Sequence, residues 1–134
     1  MKKPLLLISA CALIATLATA HDHEEFQATM KAIASNFSGL RNTIDAKQAP
    51  ETAAAAEKLV PLFKKVQEHC EEHKMQDGIT WAKTGREAAE HLADVAKAGD
   101  WDKAAAELKT IGGTCQSCHT AHREKLPDGT YKMK

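Results

Sequence analysis

The chain of 134 residues is poor in the residues that build sheets: it has six aromatics, and β-branched side chains are sparse beside Ala, Lys, Glu and Leu. That balance disfavours a β protein and points to helices. Charge of one sign is missing too, since 18 Lys and Arg face 18 Asp and Glu. No basic patch for nucleic acid or an anionic membrane is implied. Seven Gly and four Pro sit mostly at segment joints, and the length leaves room for one domain.

One apolar run stands out, at the start. Lys2 and Lys3, a stretch from about Leu5 to Leu17 and the small residues Ala18-Thr19-Ala20 read as a secretory signal peptide over 1–20, cleaved after about Ala20. The run is short for a membrane anchor, and a lipoprotein cut before Cys11 would leave Ala12 to Ala20 as an apolar stub. The expected mature domain is therefore 21–134, exported to the periplasm, without a membrane span and with two more acids than bases. Export leaves three cysteines, Cys70, Cys115 and Cys118, an odd number that makes no disulfide framework.

Four amphipathic segments follow. Phe26, Met30, Ile33, Phe37, Leu40 and Ile44 form one helical stripe, with Asp22 and Glu25 as an N-terminal capping pattern and Pro50 as the stop. The second segment, about Glu51 to Lys74, carries Leu59, Phe63, Val66, Cys70 and His73, with a kink expected at Pro61 and a break at Gln76-Asp77-Gly78. The third, about Thr80 to Ala98, shows Trp81, Ala88, Leu92 and Val95 and stops at Gly99. Asp100 caps the fourth, whose face carries Trp101, Ala105, Leu108, Ile111 and Cys115 and which should end near Leu126, before a polar tail. Short joints predict an all-α, antiparallel up-down-up-down four-helix bundle. Its few large side chains make a thin core, which a buried prosthetic group would fill.

The chemistry lies in Cys115-Gln116-Ser117-Cys118-His119, the C-x-x-C-H pattern of c-type haem attachment. Two thiols three apart on one helical turn can each add to a vinyl group of one porphyrin, and the adjacent imidazole reaches the iron. A thioredoxin-like reading needs a strand before the motif. A zinc reading needs a second ligand pair, for which Cys70 and His73 are the one candidate.

The segment from Gly99-Asp100-Trp101 through the motif to Arg123 and Lys125 resembles the haem-binding helix of the class II c-type cytochromes, the cytochrome c prime and cytochrome c-556 family, and Met30 to Phe37 resembles the stretch on the distal side of the haem. The resemblance covers essentially the whole mature chain. It implies one haem c on Cys115 and Cys118, His119 as proximal ligand, and Met30 as sixth ligand of a low-spin iron in a periplasmic electron carrier. Members without a ligating residue there are five-coordinate and bind NO or CO, which is the alternative function. A haem-free, metal-handling bundle is a third reading. The resemblance also admits a homodimer through the first two helices, beside redox protein partners. Phe26 stands where many members have a basic residue, Arg123 matches a frequent basic position near the haem edge, and Trp81 matches a recurring packing aromatic. Met75 and Met133 are poorer rivals to Met30, in a loop and the tail.

The remaining polar residues have plainer expectations. His69, His73, His91 and His122 are surface or interhelix residues, and Cys70 is a buried free thiol through which a dimer could form. His21-Asp22-His23, once freed by cleavage, could wrap Cu(II) or Ni(II) in a square plane. No catalytic triad or phosphate loop is present, so no enzyme activity is expected.

Overall fold

The computed structural model describes residues 9–134, with side chains described from residue 21 onward. Residues 1–8 of the expected signal peptide lie outside the described part, as do the side chains of 9–20. Four long helices, α1 (Ser9–Ser38), α3 (Ala49–Glu72), α4 (Gln76–Lys97) and α5 (Trp101–His122), are joined by a short helix α2 (Leu40–Asp45) and tight turns. Two three-residue strands, β1 (Arg123–Lys125) and β2 (Tyr131–Met133), close the chain. The bundle is the expected all-α, up-down-up-down one. No helix among the described residues is long and apolar enough to cross a membrane.

The first amphipathic stripe is one surface broken once. Gly39, with its low helix propensity, separates α1 from α2, yet Leu40 and Ile44 still reach the core. Pro50 does not end a helix but sits in the first turn of α3, where its missing N–H costs nothing. The second helix runs through Pro61 to Glu72 without interruption. It stops where Lys74 takes a φ of 57°, and Gln76-Asp77-Gly78 is the first turn of α4 rather than the break.

Gly99 and Asp100 behave as expected. Gly99 adopts a φ of 73°, and the Asp100 carboxylate accepts from the Lys103 amide at 3.2 Å. The fourth long helix ends at His122, short of Leu126, because the chain turns at Leu126 to Gly129 and pairs Arg123 with Met133. The expected polar tail is thus an antiparallel hairpin.

Alanine does much of the packing. Ala56, Ala89, Ala96 and Ala104 are fully buried beside Leu40, Leu59, Leu92 and Ile111. Small side chains let α3 and α4 lie close, and α4 and α5 after them, while α1 packs against α3. Where α2 meets α3, the buried Thr52 hydroxyl donates to Thr43 Oγ1 at 3.0 Å. Asp22 caps no helix, since α1 begins upstream of it; it reaches across to α3, where the hydrogen bond with His73 holds its carboxyl below the usual carboxylate range.

Candidate functional site

The sequence reason for the site is the pitch of α5. Residues 115, 118 and 119 are spaced three and four apart, so one face of the helix carries both thiols and the imidazole. All three open into one cavity of about 460 Å³, a size within the roughly 300–1,000 Å³ usual for small-molecule and cofactor sites. Thr114 behind them is buried, its hydroxyl donating to the Ile111 carbonyl at 2.8 Å, so the helix backbone there is held from the core side.

Three other helices wall the cavity. The first contributes Phe26, Met30, Ile33 and Phe37 from its inward stripe; α3 adds Phe63 and Val66, and α4 adds Trp81. At one end the Phe37 ring comes onto Gly112 of α5, where an added Cβ would stand 3.6 Å from the ring. The walls are thus almost wholly hydrocarbon and aromatic, while Lys31, Arg123 and Lys132 bring positive charge to the lining. An apolar slot with a few cations suits a flat, apolar ligand with acidic substituents.

Burial sets the charge state of the donors. Desolvation raises the thiols of Cys115 and Cys118 above their ordinary pKa, with the charge of Cys118 next for the former and of Asp77 for the latter. Both are free of disulfides. Burial lowers the pKa of His119, helped by the neighbouring Arg123 guanidinium, so its imidazole stays neutral with a lone pair to give. Two neutral thiols and one neutral imidazole on a single helical face, opposite an apolar wall, are a donor set that fits a covalently tethered haem.

The structure brings Met30, Cys115, Cys118, His119, Arg123 and Trp81 to this one cavity. It also brings residues that sequence reasoning passed over. Met133, expected in a free tail, lines the cavity and packs on the core, because the hairpin folds it back. Lys31 and Lys132 supply the cations that Phe26 does not. Met75 lies at the N-cap of α4, away from the lining. The His122 ring meets Asp77 Oδ1 at 2.8 Å and the edge of Trp81, and His91 faces Glu107; neither lines the cavity. His23 and His119 are the histidines of the wall.

Comparison with known proteins agrees with this geometry at the level of fold. A cytochrome c prime described as having ligand-controlled dimer dissociation superposes with a TM-score of 0.65 at 19% identity, over 85% of this chain and 95% of that one. The ferrous form of a cytochrome c prime variant from Alcaligenes xylosoxidans with NO bound gives 0.59 at 20% identity, over 84% and 94%. No family model and no curated protein matches the sequence. The chain has the four-helix-bundle fold of the cytochromes c prime.

Proposed function

We propose that the protein is a periplasmic monohaem c-type cytochrome that holds one haem c through Cys115 and Cys118, with His119 as proximal iron ligand, and that its distal side takes up a small gas such as NO or CO. The observation that carries the reading is the convergence of the three motif residues on one apolar cavity. When bound, the haem supplies an iron that gains or loses one electron and accepts axial ligands. The chain supplies the rest. Cys115 and Cys118 tether, His119 presents a neutral nitrogen, and the aromatic walls exclude water. Lys31, Arg123 and Lys132 are placed to meet propionate charge.

The distal side is where expectation and comparison part. A gas-binding site fits the solved relatives better than a Met-ligated one, since one of them carries NO by its own description and the other has ligand-controlled dimer dissociation. The reading that the sequence resemblance favoured, a low-spin His/Met electron carrier, keeps one observation: Met30 lines the same cavity as His119. In either form the protein is a carrier or binding protein rather than an enzyme. It would act after loss of the leader near Ala20, with redox proteins of the periplasm or a second copy of itself as partner.

Ferric and ferrous spectra of the mature protein, with and without CO, separate the two. High-spin features with prompt CO binding are the expected result. A low-spin spectrum that turns high-spin in Met30→Ala would establish the electron-carrier form instead. A pigment that extracts into acidified organic solvent, or a chain mass without a haem adduct, overturns covalent attachment altogether.

A further inference from the structure

A second group of ligand-type side chains lies between α1 and α3. His69 in the last turn of α3 and His73 at its C-cap are four residues apart, and their imidazoles come together with ring centroids 4.3 Å apart and tilted by 44°. Across from them, Asp22 of α1 presents Oδ1 to His69 Nδ1 at 3.5 Å and Oδ2 to His73 Nε2 at 3.1 Å. One donor atom from each of the three residues lies within 4.8 Å of the other two. We propose that Asp22, His69 and His73 form a binding site for a divalent transition cation, Zn²⁺ foremost, that joins α1 to α3 independently of whatever fills the haem cavity.

The geometry is close to what such an ion requires. Donors of a tetrahedral zinc at about 2.0–2.1 Å stand about 3.3–3.4 Å apart, and the two Asp22–His contacts, at 3.5 and 3.1 Å, fall on either side of that separation. One carboxylate oxygen and one nitrogen from each imidazole would supply a single donor atom per residue. Three protein ligands would leave the fourth position to water.

One ligand is fixed and two are reachable. The His69 ring stacks on Phe26 at 3.9 Å with 20° between planes, and its side chain is 12% exposed. The side chains of His73 and Asp22 are 50% and 40% exposed, which gives an ion its path from solvent and lets small rotations close the set. Imidazole nitrogen with one carboxylate oxygen is a borderline donor set, suited to Zn²⁺ before Mg²⁺ or Ca²⁺. The same donors without a metal would be two interhelix hydrogen bonds, and the test separates the two cases.

The test is calorimetric titration of the mature, haem-loaded protein with Zn²⁺, repeated against a competing chelator. One Zn²⁺ per chain is expected, at micromolar affinity or tighter, with a higher unfolding temperature and an unchanged Soret band. His73→Ala, at the exposed C-cap of α3, should weaken binding at least tenfold while leaving the helical circular dichroism intact, and Asp22→Asn should do likewise. His23→Ala should leave the Zn²⁺ affinity unchanged, whatever it does to the cavity wall that His23 lines, which sets this site apart from an amino-terminal square-planar chelate through His21 and His23. The absence of binding overturns the proposal, as does affinity untouched by His73→Ala or abolished by His23→Ala.

Discussion

Gly85 of α4 lies against the ring of Phe63 of α3 so closely that a Cβ at Gly85 would stand 2.8 Å from Cε1 and 3.1 Å from Cζ. The ring is buried and is itself part of the cavity wall. Gly85→Ala gains about 1 kcal/mol of helix propensity and meets overpacking of about 1–3 kcal/mol. The aromatic ring has little room to yield except toward the cavity. Net destabilisation of about 1 kcal/mol is expected in denaturant titration, with a lower yield of haem-loaded protein. A variant at least as stable as the parent, with full loading, would show that the helices part without disturbing the wall.

Cys70 is wholly buried, and its Sγ fills the space where a Cβ on Gly78 would be, at 2.8 Å. Burial pushes its thiol up to about 11, with the charge of Cys118 the next cause. At neutral pH almost none of it is thiolate, the reactive form. If Cys115 and Cys118 carry the proposed thioether links, the native protein should therefore show no thiol reactive toward an aromatic disulfide reagent, and one per chain after denaturation. Dimerisation through Cys70, which the sequence admitted, requires unfolding first. Rapid labelling of the native chain would contradict this burial.

Asp77 ties the start of α4 to the end of α5. Its Oδ1 accepts the Gly78 amide at 2.8 Å and faces the His122 ring at the same distance. The hydrogen bond with His122 is the largest cause holding its carboxyl below the usual range, with burial opposing. A folded-state pKa below the unfolded value of about 3.9 means that the ionised form favours folding, so the contribution is complete above that pH and is lost as pH falls through the lower folded value. Asp22, Asp100 and Asp128 are lowered in the same direction. Asp77→Asn should thus flatten part of the acid limb of stability against pH, with the larger loss in the neutral region, where the ionised carboxylate contributes in full, and little change below its folded-state pKa. An unaltered acid limb would remove Asp77 from the list of contributors.

The helices and the α5 donor face were legible because they depend on local periods: Phe26 to Phe37 keep a stripe by spacing alone, Asp100 caps its own helix, and residues 115 to 119 meet by pitch. What escaped reading depends on separations that no period encodes. Asp22 looked like a local cap, yet its partners lie in the last turn and at the C-cap of α3, 47 and 51 residues away by their numbering. The α1–α2 break is a single weak propensity at Gly39, outvoted in the pattern by the apolar stripe that continues through it. The hairpin has three-residue strands without a buried face, too short for a period of two to declare itself.

That hairpin yields the last test. Isolated two-stranded ribbons are marginal, and this one is held by its setting: the Arg123 guanidinium lies 3.9 Å from the centre of the Tyr131 ring, the Lys134 amide donates to the His122 carbonyl at 2.8 Å, and Met133 packs on the core. Tyr131, Lys132 and Met133 line the same cavity as Cys115, Cys118 and His119, beside Arg123, so the strands form part of its wall rather than an appendage. Deleting residues 127–134 should leave helical circular dichroism intact and cost on the order of 1–2 kcal/mol, about one partly buried methionine and a cation–π contact. The larger effect should fall on the cavity, where water and solutes gain a path: the truncated, haem-loaded protein should bleach several-fold faster in hydrogen peroxide, with Tyr131→Ala between it and the full chain. Equal bleaching rates would mean that the helices alone seal the pigment and that the strands guard nothing.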